Sequence, residues 1–399
     1  MKLLFLSTLL SFSVLITVHS QAKKEIYQFS KDIDSKIEKD SVKWKYQTGA
    51  TDYSVGGYYK KALETWDKNG ATIPVLTKED SLYLTKFHPE NAKNYIVNRS
   101  KKEKVIILNE AHNNARHRVF TTSLLQGLYD NGFRFLGLEA LSDSLVNKRK
   151  FPVLESGYYT KESQFGNLID TALKIGFTVF GYEDFETPNL SGKDREIKQA
   201  QNIAKWINNN PDGKFLIHCG YDHIIEGTPS IKSWEKAMAG RLTEITGINP
   251  FTIGQVRYSE RGDPKLNQPY IQITNVAYPA ILIDTDGNAF NGPMNNTQKV
   301  DCAIIHPITK YKNERPDWLD LSGNRKNYTI PNSKIKEFPA LVLAYRINEF
   351  ENEGIPADVI EILDNSKKGN LILTPGNYKI IVKNKDYKIT NEFLLAVKK

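Results

Sequence analysis

The stretch Val105–Ala140, VIILNEAHNNARHRVFTTSLLQGLYDNGFRFLGLEA, constrains the fold of this chain more than any other. Val105 to Leu108 is a short apolar, β-branched run that suits a strand buried on both faces. A polar turn follows, and then Phe120, Leu124, Leu125 and Leu128 recur at helical spacing. Asn131-Gly132 supplies a helix stop. Phe133 to Leu138 completes a strand–helix–strand unit. Two strands joined by a helix are parallel in nearly all cases, so their C-terminal ends share one edge of the sheet, where open α/β sheets bind ligands. Each strand runs into a carboxylate, Glu110 and Glu139. Glu110, His112 and Glu139 are therefore expected in one crevice.

The pattern continues downstream. A loop rich in Lys, Pro, Gly and Tyr (Lys148 to Thr160) is of a kind that lines or covers a crevice. The helix Gln164 to Ile175 leads into Phe177 to Tyr182, a third strand ending in Tyr182-Glu183-Asp184. Asp194 is placed to cap the next helix. Ile197, Ala200, Ile203, Ala204 and Ile207 form its apolar stripe, with Arg195, Gln199 and Asn202 on another side. Phe215 to Ile217 is a fourth strand, ending in His218-Cys219-Gly220-Tyr221-Asp222-His223. A helix over Ser233 to Thr246 and a fifth strand over Phe251 to Val256 follow. Four successive strands thus finish in Glu110, Glu139, Glu183 or His218, more than solvation alone explains.

At 399 residues the chain exceeds what one hydrophobic core usually serves. The expected class is α/β: a mostly parallel sheet flanked by helices, with an N-terminal helical segment and a C-terminal all-β sandwich-like module. Residues 1–20 have the form of a secretory leader: Lys2, an apolar run to Val18, then Val18-His19-Ser20 before Gln21. Residues 21–104 are expected as helices packed on the core, 105–330 as the α/β unit and 331–399 as the β module. From Tyr278 onward, short strand-like runs alternate with Gly- and Asn-rich turns.

The leader predicts export to the periplasm or the cell exterior, with cleavage near Ser20. No other stretch is long enough for a membrane span. The leader carries one lysine and no acid, so its removal lowers the formal net charge from +8 to +7. Charges of both signs are mixed along the chain, without the basic patch and interleaved aromatics of a nucleic-acid surface. Cys219 and Cys302 are the only cysteines, which excludes a disulfide scaffold and a cysteine-ligated zinc site. Whether those two pair is left open by their spacing.

Of seven histidines, His112, His218 and His223 fall at strand ends in the crevice, whereas His88, His117 and His306 have no comparable setting. Imidazole accepts protons near neutral pH and ligates metals, and a carboxylate beside it fixes its tautomer. The cluster supports general-base activation of water, or a metal doing the same through a lowered water pKa. Arg195 is the candidate for an anionic substrate group or oxyanion. His223-Ile224-Ile225-Glu226 is cut short by Gly227-Thr228-Pro229 and is no zinc helix. No HExxH, GxSxG or phosphate-binding glycine loop occurs.

Asn109-Glu110-Ala111-His112-Asn113-Asn114, with His117, the leucine-rich helix and Gly137-Leu138-Glu139, resembles the first motif of the superfamily that joins erythromycin esterases, haem-binding ChaN-like proteins and TraB/TIKI proteins. Gly220 to His223 is similar to that superfamily's later Gly-x-x-His motif. The resemblance covers about 104–256 and implies a parallel α/β core with Glu110, His112, Glu139 and His223 as site residues. Asn109 departs from the usual glycine, and Ala111 from the usual histidine or threonine. The superfamily divides among ester hydrolysis, metal-dependent peptide cleavage and haem or iron binding.

The leading expectation is a hydrolase of small-molecule or peptide esters or amides. In it Glu110, His112, Glu139 and His223 are catalytic, and Glu183, Arg195, His218 and Tyr221 bind substrate. Arg195 or Tyr221 would steady the oxyanion. If a divalent metal takes part, its ligands are His112, Glu139 and His223. The alternative is a haem- or iron-binding protein with Tyr182, Tyr221 or a crevice histidine as axial ligand. A third is an interaction protein with a decayed site.

Overall fold

Eight strands form the central sheet: β1 (Phe87–Asn91), β2 (Val105–Glu110), β3 (Phe133–Leu138), β4 (Thr178–Gly181), β5 (Lys214–Gly220), β6 (Phe251–Gly254), β7 (Ala280–Asp284) and β8 (Cys302–Ile305). Their spatial order in the computed structural model, which describes residues 25–398, is β1-β7-β8-β6-β2-β5-β3-β4. The six strands from β8 to β4 are parallel, while β7 and β1 close one edge antiparallel. The chain goes from β2 to β3, leaving one place between them, and β5 returns to fill it. Register pairs Leu108 with His218, Glu110 with Gly220, and Leu138 with His218. Three strand ends are thereby brought level.

The helices are α1 (Ser30–Lys39), α2 (Lys45–Val55), α3 (Tyr59–Asp67), α4 (Lys78–Leu84), α5 (Ala92–Arg99), α6 (Arg116–Asp130), α7 (Val146–Arg149), α8 (Ser163–Ile175), α9 (Gly192–Asn209), α10 (Met238–Thr246) and α11 (Pro269–Thr274). Successive strand residues point to opposite faces, and β2 shows it. Ile106 and Leu108 pack with Ile96 of α5, Leu124, Leu125 and Leu128 of α6 and Leu168 of α8. Val105 and Ile107 pack with Ala200, Ile203 and Ile207 of α9 and Met238 and Leu242 of α10. Full burial of each large aliphatic side chain contributes roughly 1.5–3 kcal/mol, so both layers hold the sheet that aims the rim.

Several boundaries differ from expectation. The N-terminal segment is helical as read, but it also donates β1, which pairs with β7 and is polar and proline-containing. The third strand is only Thr178–Gly181, and the helix expected from Ser233 begins at Met238 after a separate turn at Lys232–Trp234. Ser191, not Asp194, caps α9: its hydroxyl accepts from the Asp194 amide and donates to the Asp194 carboxylate.

In the C-terminal module, Ala340–Arg346 lies between Asp358–Ile362 and Gly376–Lys383, with Ile389–Val397 outermost, all antiparallel. One face packs on a two-stranded ladder of Lys326–Thr329 with Asn370–Leu373. The other is covered by Tyr27, Phe29 and Val55 of the N-terminal segment. Cys219 and Cys302 are both buried free thiols, on β5 and β8, with β2 and β6 between their strands. No helix among the described residues is long and apolar enough to cross a membrane. The leader reading of residues 1–20 lies outside the described residues.

Candidate functional site

The rim at the C-terminal ends of β2, β3, β4 and β5 divides into two clusters that meet at Gly220. The first is built on Glu110, whose side chain is 2% exposed. It accepts Arg118 Nε at 2.6 Å on Oε2 and Arg118 Nη2 at 2.7 Å on Oε1. His112 Nδ1 lies 2.9 Å from Oε1 and His218 Nε2 2.9 Å from Oε2. Burial alone would raise the Glu110 carboxyl. The Arg118 guanidinium and the two imidazoles outweigh it and hold the group well below the usual carboxylate range. Arg118 is itself fully buried, and its Nη1 reaches Glu162 Oε2 at 3.0 Å. Burial raises the Glu162 carboxyl despite Arg118. Its oxygens nevertheless face Tyr59, the Gln164 and Phe165 amides and Arg118, an arrangement that favours the carboxylate.

His112 is thereby held with Nδ1–H toward Glu110, and no protein group hydrogen-bonds its Nε2 among the described residues. Its ring stacks on Tyr159 at 3.7 Å and meets the Tyr221 ring edge-on at 5.0 Å. A Cβ on Gly220 would lie 2.5 Å from His112 Cε1, 2.7 Å from Nε2 and 3.3 Å from Glu139 Oε2. The absence of a side chain there lets the imidazole and the second carboxylate approach across β5.

The second cluster is built on Glu139. Its Oε2 accepts the Gly220 amide at 2.6 Å, and its Oε1 accepts Arg195 Nη2 at 2.6 Å. Arg195 also donates through Nε to Glu183 Oε2 at 2.8 Å, and Gln199 donates to the same oxygen at 2.8 Å. His223 Nδ1 faces Glu196 at 2.7 Å, and Nε2 faces Glu139 Oε1 at 3.5 Å. Trp234 stacks on the ring at 4.9 Å. Burial would lower the His223 pKa, but Glu139 and Glu196 raise it to about 10. Arg195 Nη1 also sits 3.2 Å from His223 Nε2, a contact that would suit a neutral ring accepting from arginine. Three carboxylates around two cations make the imidazolium the better-balanced state. Burial opposes ionisation of Glu139 as well, and His223 and Arg195 overcome it to hold that carboxyl far below its usual range.

The structure thus brings Glu110, His112, Glu139 and His223 to one rim, with Glu183 and Arg195 beside them. His218 lies beneath, 1% exposed, which denies it a substrate contact. Tyr221 has φ +38° and stacks on Trp66 at 5.6 Å, and its hydroxyl donates to Asn113 Oδ1 at 3.3 Å. Asn109, in place of a glycine, donates to the Tyr221 carbonyl at 2.7 Å and accepts from the Gln255 amide at 2.7 Å, tying three strand ends together. His117 is no bystander: it accepts the Ala111 amide at 2.9 Å and lies 2.5 Å from Ser259 Oγ. Burial lowers its pKa to about 3, so the ring is neutral.

Sequence reasoning missed Arg118, Tyr159, Glu162, Glu196 and Trp234. Arg118 and Glu196 left a signal, because each is a charge on an apolar helical stripe: Arg118 with Thr122 and Leu125, Glu196 with Ala200 and Ile203. A charge on a buried face requires a partner.

His112, Glu139 and His223 do not fit a metal triad. Both Glu139 oxygens are engaged, His223 is flanked by carboxylates on both nitrogens, and an added cation would meet the Arg195 guanidinium. Among the described residues no group of three or more His, Cys, Asp or Glu is arranged to hold a metal ion. Neither tyrosine is placed as a haem ligand, since the Tyr182 hydroxyl is buried and donates to the His218 carbonyl at 3.0 Å, and the Tyr221 ring is packed between Trp66 and His112.

No family model matches the chain, and no curated protein matches it significantly. Among solved structures it is similar to the type III effector HopBA1, at 10% identity and TM-score 0.34 over 58% of this chain and 100% of that one. It is also similar to RRSP, a MARTX toxin effector domain from Vibrio vulnificus, at 12% identity and TM-score 0.28 over 67% of this chain and 48% of that one. A third is the C-terminal region of Pasteurella multocida toxin, described as having a thiol-protease-like catalytic triad, at 9% identity and TM-score 0.26 over 89% and 58%. Likeness this slight carries over neither fold nor activity.

Proposed function

We propose that the chain is an exported hydrolase of ester or amide bonds in which His112 activates water. One observation carries this reading: His112 Nε2 is unpartnered among the described residues, while Nδ1 is fixed on a buried carboxylate. In that state Nε2 is the lone-pair nitrogen, and it sits beside Glu139 at the shared glycine. Water attacks the carbonyl carbon as its proton passes to Nε2. Glu110 stabilises the imidazolium that forms, and Arg118 holds Glu110 in place. The proton then leaves from Nε2 to the departing alkoxide or amine. Arg195 and the charged His223 present positive charge where the oxyanion develops. Their three carboxylates lower that field, so substrate must displace part of the Arg195–Glu183 pairing.

The order of Glu110, His112, Glu139 and Gly220-x-x-His223 along the parallel sheet supports membership of the erythromycin esterase, ChaN-like and TraB/TIKI superfamily, proposed here on the motifs alone. Export rests on the leader pattern; N-terminal sequencing of secreted protein should begin at Gln21. The activity is tested on p-nitrophenyl esters and fluorogenic peptides. His112→Ala should lower turnover about 10²–10⁴-fold with an unchanged melting curve. Undiminished hydrolysis by that variant would remove His112 from the mechanism.

A further inference from the structure

The central sheet and the C-terminal sheet end in β1, β4, Asp358–Ile362 and Ile389–Val397, and the first three of these edges are closed. Along β4 the Asn147 side chain takes the place of a neighbouring strand. Its Oδ1 accepts the Val179 amide at 2.9 Å, and its Nδ2 donates to the Val179 carbonyl at 2.6 Å. Strand β1 is short and carries Pro89, which has no N–H to offer a further ladder. On Asp358–Ile362, Arg315 Nη1 donates to the Val359 carbonyl at 3.4 Å, and a Cβ on Gly57 would lie 2.4 Å from the same oxygen. An open edge is a template for pairing with another chain, and devices of this kind prevent it.

Ile389–Val397 has none of them. It is the longest strand among the described residues, contains no proline and lies outermost beside Gly376–Lys383. Among the described residues no segment other than Gly376–Lys383 hydrogen-bonds its backbone. In the ladder Glu392 stands opposite Ile381 and Leu394 opposite Lys379. Both therefore lie on the face that Tyr27 and Phe29 cover at Ile381 and Leu343. That cover stops short of the last strand, and Leu394 is 76% exposed.

The charges on the strand select an occupant and a register. In an antiparallel pair, two residues directly opposite both turn their backbone groups to the partner or both turn them away. A strand meeting its own copy can therefore match only positions whose numbers sum to an even value. Centred on Leu395, the pairing sets Glu392 against Lys398 of a second copy, twice by symmetry. It also sets Leu394 against Ala396 and Phe393 against Val397. Centring on Leu394 sets Glu392 against Ala396, and centring on Ala396 sets Lys398 against Leu394, so neither makes the ion pair. Glu392 is 56% exposed, and its one ionic partner, Lys379 at 3.3 Å, is shared with Glu351. We propose that Ile389–Val397 is a homodimerisation edge, through which two copies join antiparallel about Leu395 and merge their C-terminal sheets into one.

The test is sedimentation equilibrium of the full chain from micromolar to millimolar concentration, which should show a monomer–dimer equilibrium. Glu392→Lys and Lys398→Glu each turn two attractive contacts into repulsive ones. Each alone should weaken dimerisation about tenfold, the equivalent of about 1.4 kcal/mol, and the two together should restore it. Both side chains are exposed, so the melting curves should not move. A chain that stays monomeric to millimolar concentration, a dimer indifferent to either reversal, or a double variant no tighter than the singles would each overturn the proposal.

Discussion

The two halves of the rim use the same residue types and end in opposite states. Around Glu110, one buried arginine makes a bidentate pair with the carboxylate, and the two imidazoles are left to share what acceptor capacity remains. Around Glu139, one arginine is shared between Glu139 and Glu183, and His223 lies between Glu139 and Glu196. The number of carboxylates that face each imidazole therefore separates the two. His112 meets one, Glu110, through Nδ1 alone, and no protein group among the described residues hydrogen-bonds its Nε2; His223 meets Glu139 and Glu196, one on each nitrogen, and is held as the imidazolium. The first arrangement suits a base and the second a fixed positive charge.

The largest break in this comparison comes from Arg118. Arg118→Ala leaves Glu110 and Glu162 buried without their cation and should cost about 3–5 kcal/mol of stability, read by denaturant unfolding. Arg195 is partly exposed at the rim, so Arg195→Ala should cost markedly less. If the two lose the same stability, the halves are not built differently.

A second effect sharpens the contrast through pH. The folded pKa of His223, about 10, stands above the unfolded value of about 6.5. Its contribution is fully present below about 6.5 and is lost as pH rises through about 10. Unfolding free energy should fall across that window by on the order of a few kcal/mol, and Glu139→Gln should remove more of the slope than Glu196→Gln, because Glu139 raises the His223 pKa most. The Glu139 carboxyl, whose folded pKa is depressed, works the other way: its contribution is present above the unfolded carboxylate pKa and is lost on acidification. A smaller effect is expected at the junction. Gly220→Ala places a methyl 2.7 Å from His112 Nε2, and Tyr159 behind the ring at 3.7 Å blocks retreat. Overpacking of this kind costs about 1–3 kcal/mol, and hydrolysis should fall further than stability does.

Local pattern made part of this legible. The Val105–Leu138 unit, the helical stripes and the acids ending the strands are written within short windows, and parallel crossover geometry assembles the rim from them. What escaped was non-local. Strand β1 is Phe-His-Pro-Glu-Asn, with no apolar alternation, and becomes a strand only because β7, far along the chain, pairs with it. Partner choice at the site escaped for the same reason, since Glu162 and Glu196 reach Arg118 and His223 through packing that sequence spacing does not encode. A metal triad of His112, Glu139 and His223 was plausible from residue types; the arginine placed among them is what the structure adds.

The most direct test is the protonation of the two rim imidazoles in one sample, by 15N shifts of histidine-labelled protein at pH 8 with His112→Ala and His223→Ala as assignments. The account requires His223 to be doubly protonated and, in neutral His112, the proton to reside on Nδ1 with Nε2 bare. A neutral His223, or a neutral His112 protonated on Nε2, would contradict it.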